Sequence, residues 1–385
     1  MNNKLTRYWR YGYSPLSLLL CGLPLLLTGC GGGGHDSTSS SSRTYSITDL
    51  GVLPGGTSSS AAALNNKGQI VGLSGSGSSS HAFLWQSNQI ADLGTPPGGS
   101  FSQATGINDS GQICGTFGSG TKDSQGLALP HAFLYNAGAF TDLGVLAGDA
   151  TSGASAISTD GTVAGYSIPS FIFSPNTIGP GPSHAALFRA GSVVGLGTLP
   201  GDTASLASGI NSLGQVVGDS YVPGKNVRHA FIYSNAALTA LGALAGDIGS
   251  SASAINTGSQ AVGFSLTDAG PGVQGREISH SRAVLFTGGQ VTNLGLLPGD
   301  TDSAAVAIND TGQVVGISEN TASSDPAQIK HPFVWQQGQM ADLNSRLPAG
   351  SGWVLTDATG INNAGQICGT GEHNGQTHAF LLTSE

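Results

Sequence analysis

Apolar residues in this chain come in short bursts, each bounded by Gly, Pro, Ser, Asn or Asp. The stretch from His81 to Gly115 shows the pattern. It runs His81-Ala82-Phe83-Leu84-Trp85, then Ala91-Asp92-Leu93-Gly94, then Ala104-Thr105-Gly106-Ile107-Asn108, then Gly111-Gln112-Ile113-Cys114-Gly115. Each phrase is apolar, rich in β-branched or aromatic residues, and closed by turn residues, which is how a strand between turns reads. The same four phrases recur in the same order down the chain, and such repetition decides architecture before local detail does.

We call the phrases A (Ala-x-x-Ile-Asn), B (Gly-Gln-Ile/Val-Val-Gly), C (His-Ala-Phe-Leu-Trp) and D (x-Asp-Leu-Gly). Phrase B begins at Gly68, Gly111, Gly161, Gly214, Ser259, Gly312 and Gly365. Phrase C begins at His81, His131, His184, His229, Ser281, His331 and His378. Phrase D ends at Gly51, Gly94, Gly144, Gly197, Gly242, Gly295 and, altered, Asn344. The period of roughly 45–53 residues is that of propeller blades.

The ends of the array are the informative part. It opens on a lone D phrase, Tyr45 to Gly51, and closes on A, B and C phrases without a D, Asp357 to Leu382. Pairing the first strand with the last blade completes the set and leaves no open edge. The expected fold is therefore all-β: a seven-bladed β-propeller of four-stranded blades over residues 45–385, closed by its N-terminal strand. An open solenoid would have no use for this arrangement.

Residues 1–29 read as a signal segment. Lys4, Arg7 and Arg10 precede an apolar run from Leu16 to Leu27 that is interrupted by Pro24 and too short to span a bilayer. The run ends at Leu27-Thr28-Gly29-Cys30, which resembles the lipobox of bacterial lipoproteins. That resemblance implies cleavage before Cys30, lipidation of its sulfur and stable membrane anchoring by several acyl chains. With Gly31 after the cysteine, it implies outer-membrane delivery in a Gram-negative host. Residues 30–44 then form the lipid anchor and a flexible tether, since Gly31 to Ser42 carries almost no apolar side chain.

Charge and cysteine usage narrow the partners. The signal segment removes three of the 13 basic residues and none of the 22 acidic ones, leaving a net charge of −12. That opposes nucleic acid or an anionic membrane surface as a partner. Cys21 leaves with the signal. Cys114 and Cys368 occupy the position of Val71, Val217, Val262 and Val315 in other B phrases, so they read as small core residues with no disulfide between them.

Within a blade, phrase B is apolar on both faces, as at Ile70-Val71 and Val216-Val217. Phrase C alternates, with Ala82 and Leu84 on one face and Phe83 and Trp85 on the other. Gly72, Gly115 and Gly316 leave room for those rings. The A–B connection, Asn108 to Gln112 or Asn309 to Gln313, predicts a tight turn in which Asn and Gly take positive φ and the Asp side chain caps its own backbone.

His-Ala-Phe-Leu-Trp, Asp-Leu-Gly-x-Leu-Pro-Gly-Gly and Ile-Asn-x-x-Gly-Gln-Val-Val-Gly together resemble the HAF repeats of bacterial extracellular proteins, over nearly all of residues 45–385. The resemblance implies an exported repeat protein of uncharacterised function and supplies no catalytic residue. Two copies depart from the pattern: Ser281-Arg282 stands for His-Ala, and Pro332 follows His331.

Propeller topology puts D–A and B–C loops on one face and A–B and C–D loops on the other. The B–C loops vary most, and the D–A loops carry Asp149, Asp202, Asp247 and Asp300. Function sits on variable loops held by a rigid scaffold, so this face is the candidate binding surface. Arg276 and Arg282 of the fifth blade and Glu372 with His373 in the last B–C loop complete the candidate set, although a solvated loop is the plainer role for that pair. The Asp residues follow Gly in tight turns, where local backbone bonding is their ordinary role; a Ca²⁺ or cationic-ligand ring is the alternative. The six repeat His are not metal ligands: with strands ~4.8 Å apart, equivalent third strands lie roughly 15 Å from one another. A His–backbone or His–Asp bond tying strand C to the neighbouring D–A loop is expected, by analogy with WD-repeat propellers.

No HExxH, CxxC, GxSxG or P-loop motif is present. The sequence therefore suggests a monomeric, lipid-anchored cell-envelope propeller that binds or scaffolds a glycan, peptide or protein, without cofactor or metal. The alternative is a propeller hydrolase or lyase acting on polysaccharide, which should gather non-repeating acids and bases at one loop-side pocket.

Overall fold

The computed structural model describes residues 44–76, 79–122, 126, 128–169, 182–189, 191–225, 227–267, 280–321 and 330–385. The expected signal segment, Cys30, the Gly/Ser tether and Arg276 lie outside them.

Seven antiparallel four-stranded sheets form the seven blades. Blade one is Ser58–Leu64, Ile70–Ser76, Ser79–Gln86 and Gln89–Gly94, which are phrases A to D in order. Strand A is innermost, where each A strand meets those of the adjacent blades. The seventh blade takes its outer strand from the other end of the chain: Tyr45–Asp49 pairs with Gln376–Ser384, Tyr45 opposite Ser384 and Asp49 opposite Phe380. The ring is closed as its phrase order requires.

Both faces of each blade are buried against its neighbours, and the side-chain alternation of strand C divides the load. Phe83 and Trp85 pack toward Cys368, Ala379 and Leu381 of blade seven. Ala82 and Leu84 pack toward Ile107, Ile113 and Phe133 of blade two. The glycines ending phrase B have the expected reason: a Cβ at Gly115 would stand 2.7 Å from the Phe133 ring and 2.0 Å from the Gln103 carbonyl oxygen. That carbonyl belongs to strand A, which carries a register shift at the same place in every blade, between Ala61 and Ala63 in the first and Ala104 and Gly106 in the second. Such bulges tighten local twist. Cys114 and Cys368 are fully buried, unpaired, and packed in separate clusters; burial pushes both thiols up to about 12.

Two sets of hydrogen bonds stitch blade to blade. In the first, the Asn of phrase A donates Nδ2 to the equivalent carbonyl of the next blade: Asn65 to Asn108 at 3.0 Å, Asn108 to Ser158 at 3.0 Å, Asn211 to Asn256 at 3.0 Å, and onward to Asn309 and Asn362. Asn362 returns to Asn65 at 3.1 Å. Only the third blade breaks the series, with Ser158, whose hydroxyl turns to Asp160. The same Asn caps its own turn through Oδ1, as Asn65 does for the Lys67 and Gln69 amides. This corrects the expected turn chemistry in two respects. Positive φ falls on Gly68, Gly111 and their equivalents, not on the Asn. Asp109 does not cap its own backbone; it accepts the Asn66 amide of the preceding blade at 2.8 Å.

In the second set, a strand-A serine bridges to the blade before it. Ser102 Oγ accepts the Ala82 amide at 2.9 Å and donates to the Gly94 carbonyl. Ser59, Ser152, Ser205, Ser250 and Ser303 repeat this. The junction of blades six and seven is different in all three partners at once. Pro332 has no amide to donate, Leu355 replaces the serine, and Asn344 replaces the glycine. Asn344 supplies both bonds: Oδ1 accepts the Leu355 amide at 2.8 Å and Nδ2 donates to its carbonyl at 3.1 Å. A 3₁₀ turn, Asn344–Arg346, follows.

Candidate functional site

The repeated carboxylates on the candidate face are held by side chains of their own blade. His184 Nδ1 lies 3.0 Å from Asp149, His229 Nδ1 2.9 Å from Asp202, and His331 Nδ1 3.0 Å from Asp300. These are the expected bonds from strand C to the D–A loop. Local backbone bonding does not account for these carboxylates, because each is directed at an imidazole. Blades one, two and seven have no Asp in that loop, and there the imidazole turns to the D-phrase aspartate: His81 to Asp92 at 2.8 Å, His131 to Asp142 at 2.9 Å, and His378 to Asp49 at 2.9 Å. The two carboxylate positions substitute for one another, so the repeat imidazole meets one acid in each of these blades.

Blade five keeps the arrangement with a different basic side chain. The Ala283 amide takes the serine bond that Ala82 takes in blade one, so the residue in the histidine position is Arg282 and the alanine is retained. This corrects the expected alignment by one residue. Arg282 reaches Asp247 at 3.5 Å, and Asp247 also accepts the Ser265 hydroxyl at 2.6 Å. Arg282 thus sits on the third strand from the axis.

Blade six has both carboxylates and one imidazole. His331 is committed to Asp300, whose side chain is 1 % exposed. The carboxylate of Asp342, on the D strand, accepts the Asn344 backbone amide at 2.8 Å and has no ion-pair partner among the described residues. Burial raises its pKa above the usual carboxylate range, and the charge on Asp300 adds to the effect against the opposing pull of Asn344 and His331. Asp342 and His331 open onto a cleft of about 400 Å³ at the irregular junction with blade seven, walled by Asn344, Leu347, Trp353 and Val354.

Trp353 is shared with a second cluster. Its ring stacks on His373 at 4.7 Å, nearly parallel. His373 and Glu372 are successive residues of strand B of blade seven, Ile367–His373, and so point to opposite faces. They form no pair: Glu372 is exposed, and His373 turns to Asp49 at 3.2 Å. His378 reaches the same carboxylate, so one acid holds two imidazoles. Burial works to raise Asp49, but the hydrogen bonds from His378, the Gly51 amide and His373 outweigh it and hold the carboxyl below its ordinary value.

Residues that did not stand out in the sequence complete the face. Arg228 pairs with buried Asp219 and lies 4.7 Å over the Tyr221 ring, while Tyr221 bonds Ser183 at 2.8 Å. Lys330 crosses from blade six to Asp357 of blade seven at 3.0 Å. Their only sequence signal was charge in positions where the repeat is apolar or small. On the opposite face, the A–B turns of all seven blades surround an axial mouth of about 210 Å³ lined by Asn65, Asn108, Asn211 and their equivalents.

No family profile matches the sequence, and no curated protein does. Among solved structures the chain is similar to the β-propeller domain of the Trilobed protease from Pyrococcus furiosus, at 10 % identity and a TM-score of 0.49 over 89 % of this chain and 94 % of that one. It is similar at the same identity and score to a prolyl endopeptidase, covering 89 % of this chain and 50 % of that one. A sialidase from Trypanosoma rangeli scores 0.37 at 10 % identity, over 85 % and 54 % of the two chains. At these identities the likeness is one of fold.

Proposed function

We propose that this propeller is a lipid-anchored cell-envelope binding module, and that its ligand seats in the cleft between blades six and seven. The observation that carries this reading is Asp342. Every other D-phrase aspartate holds an imidazole, whereas Asp342 faces an open cleft with acceptor capacity to spare. A partly buried carboxylate beside an imidazole suits a ligand rich in hydroxyl donors, so a glycan is the first class to test. The lipidation expected at Cys30 would hold the module at a membrane through the tether.

The hydrolase reading is less well supported by the cleft. Glycoside hydrolysis uses two accessible carboxylates roughly 5–9.5 Å apart across the scissile bond. Asp300, the second carboxylate near Asp342, is buried and occupied by His331.

A glycan array probed with the full-length protein, followed by titration of any hit, tests the proposal. D342N should weaken binding at least tenfold, whereas D92N, at the equivalent position of blade one, should leave it unchanged. Equal affinity in D342N would remove the cleft as the site, and release of shortened glycan would replace binding with catalysis.

A further inference from the structure

We propose that Asp49, His373 and His378 form a site for one divalent transition-metal ion of the zinc class, placed across the seam where the ring closes. One donor atom from each lies within 4.8 Å of the other two. The imidazole Nδ1 atoms of His378 and His373 stand 2.9 and 3.2 Å from the same carboxylate oxygen, Asp49 Oδ2. Donors bound to zinc at about 2.0–2.1 Å in tetrahedral geometry are separated by roughly 3.3 Å. Each imidazole therefore needs to draw back from the carboxylate by only a few tenths of an ångström to admit the ion, and the two imidazole donors already stand within 4.8 Å of one another.

The surroundings favour such an ion. Trp353 stacked on His373 fixes that ring's plane, so the donor is oriented before metal arrives. Asn374 lies 3.2 Å from the far nitrogen of His373, and a half-turn of its amide offers Oδ1 to the N–H which that nitrogen carries once Nδ1 is metallated. The side chains of His378, His373 and Asp49 are 13 %, 26 % and 32 % exposed, leaving one side open for a water as fourth ligand. Two imidazoles and one carboxylate suit zinc, cobalt or nickel, and do not suit Ca²⁺ or Mg²⁺, which want oxygen.

The chain contains its own controls. His81–Asp92 and His131–Asp142 repeat the His378–Asp49 geometry, and each is described with one imidazole on its carboxylate. The third donor comes from a residue outside the repeat pattern, His373. Sequence reasoning placed the repeat imidazoles too far apart to share a metal. It missed this cluster because His373 and Asp49 are 324 positions apart and meet only through ring closure.

The full-length protein, stripped with EDTA and dialysed, is the sample to use. Equilibrium dialysis against zinc should give one ion per chain, cobalt should give a visible d–d absorption band, and zinc at a hundredfold excess over Kd should raise Tm by about 4 °C. Calcium and magnesium should raise it by nothing comparable. H373Q should weaken zinc binding at least tenfold and lose the cobalt band, and H81Q should retain both. Absence of zinc binding to the unaltered chain, an equal response to calcium, or undiminished binding in both H373Q and H378Q would overturn the proposal.

Discussion

Asn362 of blade seven donates its side-chain amide to the main-chain carbonyl of Asn65 in blade one, 3.1 Å away and 297 positions back in the sequence. Its Oδ1 at the same time holds the Ala364 and Gln366 amides of its own turn. Replacing it with alanine loses the turn cap and the inter-blade bond together, so N362A should cost about 2–4 kcal/mol in urea unfolding. The reverse experiment lies at Ser158, where the series is interrupted. S158N should supply the missing donor to Asn211 and raise Tm; a lower Tm would show that the Ser158–Asp160 bond matters more.

Pro332, Asn344 and Leu355 stand in one junction where Ala, Gly and Ser stand in the others. N344G alone removes both bonds to Leu355 and should destabilise by about 1–3 kcal/mol. Adding L355S and P332A rebuilds the serine bridge, so the triple variant should recover most of that loss. Additive losses on denaturation, with no recovery, would show that the three do not act as a set.

Asp49 and Asp342 should respond to pH with opposite sign. The folded state holds Asp49 below its ordinary pKa, so its contribution is complete above the unfolded value of about 3.9 and fades as pH falls through the lower folded value. Asp342 is raised in the folded state, so the fold loses stability as pH rises from about 3.9 through that raised value. At pH 7, D49N should lower Tm and D342N should raise it, and the difference between them should shrink toward pH 3. Changes of equal sign at neutral pH would refute the assignment.

Cys114 and Cys368 should not react with a thiol reagent at pH 8 in the folded protein, because burial keeps both thiols protonated and covered. Both should label together once urea opens the ring. Fast labelling of either in native buffer would point to local opening of blade two or blade seven.

Much of this was legible in sequence because the blade repeats. Phrase order showed the closure, the alternation in His81–Trp85 showed which side each ring faces, and Gly115 announced the Phe133 ring beside it. The partner of each imidazole was half legible: a His–Asp bond was expected, but a choice between a loop and a strand carboxylate depends on which of two side chains the blade happens to supply. Arg282 was read one residue out of place because Ser281 imitates the start of the phrase, and the serine bond to Ala283 is what fixes the register. Asp109 reaching Asn66, and His373 reaching Asp49, could not be read locally, since each partner lies in a different repeat.

The seam also orders the chain in time. Tyr45–Asp49 leaves a ribosome well before its partner strand, Gln376–Ser384. Until that hairpin emerges, the outermost strand of the ring has nothing to dock on, and blade one has no seventh blade to cover Phe83 and Trp85. Completion is thus a single late event spanning the longest strand-to-strand separation among the described residues, the kind of contact that forms slowly and leaves apolar surface exposed meanwhile. Loss of Gln376–Ser384 would therefore leave Tyr45–Asp49 without its partner and uncover Phe83 and Trp85 at the same stroke.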